Sequence, residues 1–121
     1  MTLDLEALAA VLAEDPRVVL ATLFGSARDG VVRAGSDVDV AVLLSPLPSP
    51  TEFYDFYVAT ASRLQTIAEL DLVDLGCANS VLAFEALCGR RLVVRDAEAV
   101  AAFSSAVARQ YEDDMLHAHA A

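Results

Sequence analysis

Apolar runs separated by polar turns predict four β-strands in this chain. The run at 18–24 stops at a Gly-Ser pair, and a second run fills the end of 37–44. Both are rich in β-branched residues and bounded by turn residues, which is typical of strands buried on at least one face. LDLVDL at 70–75 predicts a third strand. RRLVVR at 90–95 predicts a fourth, which we expect at a sheet edge because charged residues flank it.

Apolar residues at helical spacing fill the segments around these strands. We predict helices over 3–14, 51–69, 79–88 and 97–116, and we interpret their apolar and aromatic stripes as core contacts. The expected N-caps are Thr2, Thr51, Asn79 or Ser80, and Asp96, with Gly89 as the stop of the third helix. The predicted order is therefore α-β-β-α-β-α-β-α.

Length and composition bound the architecture and the compartment. The 121 residues suffice for one domain, 1–121, and the proline-rich stretch at 45–50 is too short for a domain linker. No apolar run approaches the length of a membrane helix, and the acidic start differs from a basic secretory signal, so we expect a cytoplasmic protein. The isolated Cys77 and Cys88 are expected to be reduced core thiols. The His-x-His tail is interpreted as a frayed, solvated terminus rather than a metal site.

The charge balance argues against a nucleic-acid partner. The formal net charge is −10, from 18 acidic against 8 basic residues. Proteins that bind nucleic acid usually carry basic patches that neutralise phosphates, and no such patch is present. An acidic surface favours either a basic protein partner or simply solubility.

Two carboxylates stand at the head of the second predicted strand. Side chains alternate along a strand, so Asp37 and Asp39 project from the same face, about 6.5 to 7 Å apart at Cα. Their repulsion calls for compensation by a cation, and carboxylate oxygens suit Mg²⁺, usually beside substrate phosphates.

The Gly-Ser pair after the first strand supplies the other half of a site. Gly25 permits close backbone approach, and Ser26 offers a hydroxyl and a backbone N–H to an anion. Either half alone is more simply explained as an ordinary turn. Together, between two strands, they predict a nucleoside triphosphate site.

The segment GSARDGVVRAGSDVDVAV resembles the G-S-x-x-x-G-x5-S-D-x-D-x-x-V signature of the DNA polymerase β nucleotidyltransferase superfamily. It is most similar to the small stand-alone branch, the minimal nucleotidyltransferases. Asp29 departs from this branch, which often has Arg at that position, and Arg28 lies one place earlier. Whether Arg28 contacts the triphosphate is therefore open. The residues on pattern are Gly25, Ser26, Gly30, Ser36, Asp37, Asp39 and Val42.

The resemblance implies an α/β (α+β) nucleotidyltransferase fold, a mixed β-sheet flanked by helices. The implied reaction transfers a nucleoside monophosphate from a triphosphate such as ATP to a hydroxyl, with Mg²⁺, or alternatively Mn²⁺. Asp37 and Asp39 would bridge two metals, and Gly25, Ser26 and Ser36 would bind the nucleotide.

The resemblance also implies a third carboxylate on the strand after the intervening helix. Asp71 and Asp74 lie three apart and so point to opposite faces of a strand, which allows one of them to join the site. The family context favours Asp71, as a metal ligand that helps to take the acceptor proton, and Asp74 is the alternative.

The acceptor is implied by the resemblance alone. Stand-alone members of this size resemble antitoxins encoded beside a HEPN-domain RNase toxin, which implies AMP transfer to a toxin tyrosine within a hetero-oligomer. Two alternatives remain: an antitoxin that neutralises by binding, and a small-molecule nucleotidyltransferase of the aminoglycoside-modifying kind.

Overall fold

A four-stranded mixed β-sheet forms the centre of the computed structural model, which describes residues 2–34, 37–65, 67 and 69–119. Its strands are β1 (Val18–Phe24), β2 (Val38–Leu44), β3 (Leu70–Asp74) and β4 (Arg90–Val94). The helices are α1 (Leu5–Ala13), α2 (Pro50–Leu64), α3 (Ser80–Leu87) and α4 (Ala97–His119), and a short 3₁₀ turn spans Gly25–Ala27.

The strand order is β3-β2-β1-β4. β1 pairs antiparallel with both β2 and β4, whereas β2 and β3 are parallel and joined through α2. The predicted fold class, a mixed sheet flanked by helices, is confirmed, and β4 is an edge strand as expected.

The sheet separates two apolar clusters because side chains alternate along each strand. On β2, Val38, Val40, Val42 and Leu44 belong to the cluster that contains the buried leucines of α1. Ala41 and Leu43 belong to the opposite cluster, with buried residues of α3 and α4. Asp39, which is in step with Ala41 and Leu43, therefore lies on the α3/α4 face of the sheet.

Two predicted helix caps are wrong because a neighbouring residue has the better geometry. Asp4 caps α1 by accepting a hydrogen bond from the Ala7 N–H at 3.0 Å, and Thr2 instead bridges to Val31. Ser49 caps α2 in a reciprocal capping box with Glu52, and α2 ends before the predicted 69. Part of that predicted end, residues 66 and 68, lies outside the described residues.

The other predicted caps agree with the structure. Asn79 accepts a hydrogen bond from the Leu82 N–H, and Asp96 accepts one from the Ala99 N–H. α4 continues through most of the tail that was expected to fray, to His119. Within the described part of the chain, no helix is both long and apolar enough to cross a membrane.

The prediction that both cysteines are core thiols is wrong. Cys77 and Cys88 are free but exposed. Cys77 lies in the turn after β3, where a hydrogen bond with the Asp74 carboxylate raises the pKa of its thiol. Cys88 is the C-cap of α3. Both stand at ends of elements rather than on their buried faces.

Gly89 follows the end of α3 as predicted, but close packing rather than a left-handed backbone requires a glycine there. Its φ is not positive, and an added Cβ would lie 2.5 Å from the Leu23 carbonyl oxygen of β1. The turn after α3 thus rests directly on the central strand.

We predict that Gly89→Ala lowers the free energy of unfolding by about 1–3 kcal/mol, because the backbone of β1 cannot yield to the methyl group. Gly76→Ala is the matched control, since its added Cβ would mainly meet the tip of the exposed Leu47 side chain. Urea unfolding measures both variants. Equal destabilisation by the two substitutions would contradict the packing argument.

Candidate active site

The catalytic candidates meet where β1, β2 and β3 lie side by side. Asp39 on β2 is the register partner of Phe24 on β1 and of Asp71 on β3. Register partners on neighbouring strands project from the same face, so Asp39 and Asp71 both point to the α3/α4 side. Asp37 immediately precedes β2 and is exposed.

Asp74 lies away from this group. Its register partner is Val42, and it projects from the opposite face of β3. Its carboxylate accepts a hydrogen bond from the Gly76 N–H at 3.0 Å and so stabilises the turn after the strand. The geometry therefore favours Asp71 over Asp74 as the third carboxylate.

Negative charge accumulates around Asp39. Partial burial raises the pKa of its carboxyl group, and the charges of Asp71, Asp37 and Glu85 raise it further. Glu85 lies on α3 and was missed in the sequence, although it is the one charged residue in SVLAFEAL. The Asp39 carboxylate is thus influenced by the negative charge of three other carboxylates.

Backbone conformation and close contact with Asp39 both require a glycine at position 25. Its φ of +73° is unfavourable for other residues, and an added Cβ would lie 2.5 Å from Oδ2 of Asp39. The absent side chain leaves room for the carboxylate and sets the backbone of the following turn beside it.

The segment after Gly25 is fastened by Arg33. The guanidinium donates hydrogen bonds to the Ser26 carbonyl oxygen at 2.5 Å and to the Asp29 carboxylate at 2.8 Å. This pairing lowers the pKa of Asp29 to about 2. Asp29, which departs from the family pattern, thus stabilises the loop through its ion pair with Arg33. Ser36, predicted to bind nucleotide, lies outside the described residues, as does Gly35.

A cavity of about 540 Å³ opens beside this turn, lined by Gly25, Ser26, Arg28, Asp29 and Arg90. Among the described residues, Arg28 and Arg90 form no salt bridge. Two such guanidinium groups next to a serine suit a polyphosphate, because arginine binds phosphate oxygens in bidentate fashion. We call this space the phosphate cavity. The sequence pattern indicated only that Arg90 flanks an edge strand. It gave no signal that Arg90 lines this cavity.

The residue types and the strand register suit a divalent cation, but the side chains do not form a closed cluster. Hard carboxylate oxygens are the ligands that Mg²⁺ prefers. In the described part of the chain, no three acidic, histidine or cysteine side chains converge closely enough to hold a metal ion. Asp37 and Asp71 are exposed, so their side chains have room to adopt other rotamers.

Comparison with known proteins identifies the family. The family model described as polymerase beta, nucleotidyltransferase matches residues 6–98, and the chain belongs to this family. The membership predicted from the Gly-Ser and Asp-x-Asp spacing is confirmed. A search of curated proteins finds no significant match to the chain.

Several solved structures share the fold over nearly the whole chain. A toxin–antitoxin crystal structure with AMP-PNP contains a chain of 25% identity, with a TM-score of 0.78 and coverage of 98% of this chain and 94% of that one. The toxin–antitoxin MntA-HepT gives 24% identity, a TM-score of 0.68 and coverage of 92% and 86%. A tri-AMPylated HEPN toxin in complex with an MNT antitoxin, from Shewanella oneidensis, gives the same four values.

We predict that Gly25→Ala reduces nucleotidyl transfer by about 100-fold, because the added methyl group displaces the Asp39 carboxylate. Gly30→Ala is the matched control. Its φ of +86° imposes similar strain, but its added Cβ would meet Leu5 at 3.5 Å and the Arg90 guanidinium at 3.8 Å, which are ordinary contact distances, and Asp39 is not among its neighbours. Transfer rates corrected for the folded fraction separate the two effects, and equal losses would count against the steric explanation.

A second prediction concerns the phosphate cavity. Arg28→Ala and Arg90→Ala should each weaken binding of inorganic tripolyphosphate by about tenfold, since each removes a charge-assisted hydrogen bond to phosphate. Arg109→Ala, on α4, serves as the control for loss of one positive charge. Calorimetric titration measures the three affinities, and unchanged binding by both cavity variants would refute the assignment.

Proposed function

We propose that this protein is a nucleotidyltransferase antitoxin that transfers AMP from ATP to a tyrosine hydroxyl of a cognate HEPN RNase toxin. The observation that carries the proposal is the register that sets Asp39 against Asp71, one strand away from Gly25 and Ser26. The carboxylates and the Gly25-Ser26 turn, which we propose binds phosphate, thus lie on adjoining strands in a chain of the nucleotidyltransferase family.

The similar structures support this choice of donor and partner. One is a toxin–antitoxin with AMP-PNP, a non-hydrolysable relative of ATP, and another contains an AMPylated HEPN toxin with an MNT antitoxin. Because the present chain has the nucleotidyltransferase fold, its counterpart in such a complex is the antitoxin. We extend to it the same donor, ATP, and the same class of partner.

The proposed reaction is an in-line displacement at the α-phosphorus of ATP. The tyrosine oxygen forms a bond to the α-phosphorus, the bond from that phosphorus to the β-bridging oxygen breaks, and pyrophosphate leaves. Asp37, Asp39 and Asp71 would hold Mg²⁺, or Mn²⁺ in its place. When bound, the cation neutralises charge on the phosphates and polarises the reacting oxygens.

The protein's own groups divide the remaining work. Ser26, Arg28 and Arg90 line the phosphate cavity and would hold the β- and γ-phosphates, which orients the leaving pyrophosphate. Asp71 lies on the other side of Asp39, exposed on the edge strand β3, where an acceptor from a partner protein has access. Asp71 is therefore our candidate for the group that takes the tyrosine proton.

The surface charge agrees with a protein acceptor. A net charge of −10 disfavours polynucleotide substrates and suits a partner with a basic face. Because the proposed donor is ATP and the proposed partner is an RNase, we place the reaction in the cytoplasm.

Co-expression with the cognate toxin tests the proposal. Intact-mass spectrometry should show toxin enlarged by whole AMP increments with the wild-type protein and unmodified toxin with Asp37→Asn/Asp39→Asn. Rescue of cell growth should be lost in parallel. Ser45→Ala, in the loop after β2, provides a control variant outside the site.

Two results would contradict the proposal. Unmodified toxin that is still inhibited by both wild type and double variant would establish an antitoxin that acts by binding. Modification of a free small acceptor in place of the toxin would establish a small-molecule nucleotidyltransferase.

A further inference from the structure

A second cavity adjoins the phosphate cavity on the α3/α4 side of the sheet. It measures about 580 Å³, and Gly25 and Arg28 line both spaces. The other lining residues come from the end of β1, from α3 and from α4: Phe24, Val81, Phe84, Glu85, Cys88 and Tyr111. One molecule could therefore occupy both cavities, with a phosphate end and an apolar end.

Aromatic and aliphatic surface dominates the α3 wall of this cavity. Phe84 is stacked on Tyr111 of α4, with ring centroids 4.3 Å apart and an interplanar angle of 14°. Phe84 nevertheless keeps 37% of its surface exposed, and Val81, one turn earlier, keeps 48%. These exposed apolar surfaces lie in a cavity that also contains the Arg28 guanidinium.

A polar contact joins α3 and α4 beside the aromatic pair. The Ser80 hydroxyl at the start of α3 donates a hydrogen bond to the Asp114 carboxylate of α4 at 2.5 Å. Gln110 also donates to Asp114, at 2.9 Å. Gln110 and Asp114 both belong to α4, so their contact orients the carboxylate, and the Ser80 hydrogen bond is the one that joins the two helices. This bond and the packing of α3 on α4 fix the helices together, so Phe84 and Tyr111 form a preorganised platform.

We propose that this platform binds the purine base of the nucleotide donor by stacking on Phe84. The inference rests on the proposed function for its substrate, a nucleoside triphosphate. Aromatic side chains bind bases through their π faces, and a purine offers a larger face than a pyrimidine. The cavity thus determines where the base lies while Ser26, Arg28 and Arg90 hold the phosphates.

The geometry favours the base over the acceptor tyrosine as the occupant. In an in-line displacement, the attacking and leaving oxygens lie on opposite sides of the α-phosphorus. The leaving pyrophosphate belongs with Arg28 in the phosphate cavity, so the acceptor must enter from the side of Asp71. The Phe84 cavity shares Gly25 and Arg28 with the leaving-group side and does not include Asp71.

The test compares the affinity of this protein for ATP with its affinity for inorganic tripolyphosphate, which has no base. Both affinities are measured directly, in the presence of Ca²⁺. Phe84→Ala should weaken ATP binding by about tenfold, through loss of the stacking surface, and leave tripolyphosphate affinity unchanged. Phe84→Leu retains apolar bulk but has no π face, so it should show the same selective loss of ATP binding. It replaces the alanine variant if that variant folds poorly. Tyr54 is a more exposed aromatic residue on α2, outside both cavities, and the Tyr54→Ala variant should bind both ligands as wild type does.

Three results would overturn the proposal. Wild-type ATP affinity in both Phe84 variants would show that the base lies elsewhere. Equal weakening of ATP and tripolyphosphate would show a general disturbance of the phosphate cavity. Unchanged ATP binding with lost toxin modification would assign the cavity to the acceptor. Failure of the proposed function can be distinguished from failure of this inference. In that case the wild-type protein would bind ATP selectively over tripolyphosphate and still leave the toxin unmodified.

Discussion

The candidate site depends on like charges held next to each other by the parallel pairing of β2 with β3. The register sets Asp39 against Asp71, and partial burial together with the neighbouring carboxylates raises the pKa of Asp39. Such a cluster is unfavourable for the isolated fold, since each charge disfavours ionisation of the others. The apolar side chains that bury both faces of β2 supply the stability that holds the strands in this register. In the function proposed above, a bound cation and a polyphosphate would complete the charge balance.

The residues with proposed roles lie in spatial order along one end of the four strands. Asp71 lies on the outer strand β3, Asp39 on β2, the Gly25 turn after β1, and Arg90 at the start of β4. Charge therefore changes from negative to positive across the four strands. This gradient matches a nucleotide whose α-phosphate meets the carboxylates and whose pyrophosphate end meets the arginines. The Phe84 cavity extends the site perpendicular to this line, towards α3 and α4.

Local sequence was most informative where one physical rule acts alone. The bounds of β1 follow from its apolar run, and the Gly-Ser and Asp-x-Asp spacing alone indicates the family. The caps of α1 and α2 were misjudged because Asp4 and Ser49 compete with nearby threonines, a choice that hydrogen-bond geometry decides. Glu85 and Arg90 reach the site through helix packing and edge pairing. No local pattern in one sequence encodes such contacts, and the roles of the predicted site residues remain predictions.

The most direct test of the account follows the α-phosphate of labelled ATP into the partner toxin, with Asp71→Asn and Asp74→Asn compared side by side. The register predicts that Asp71→Asn lowers the rate of label transfer by about 100-fold or more. Asp74→Asn should stay near the wild-type rate, because an asparagine oxygen can still accept the hydrogen bond from Gly76. Loss of transfer in the Asp74 variant, with wild-type transfer in the Asp71 variant, would contradict the site described above.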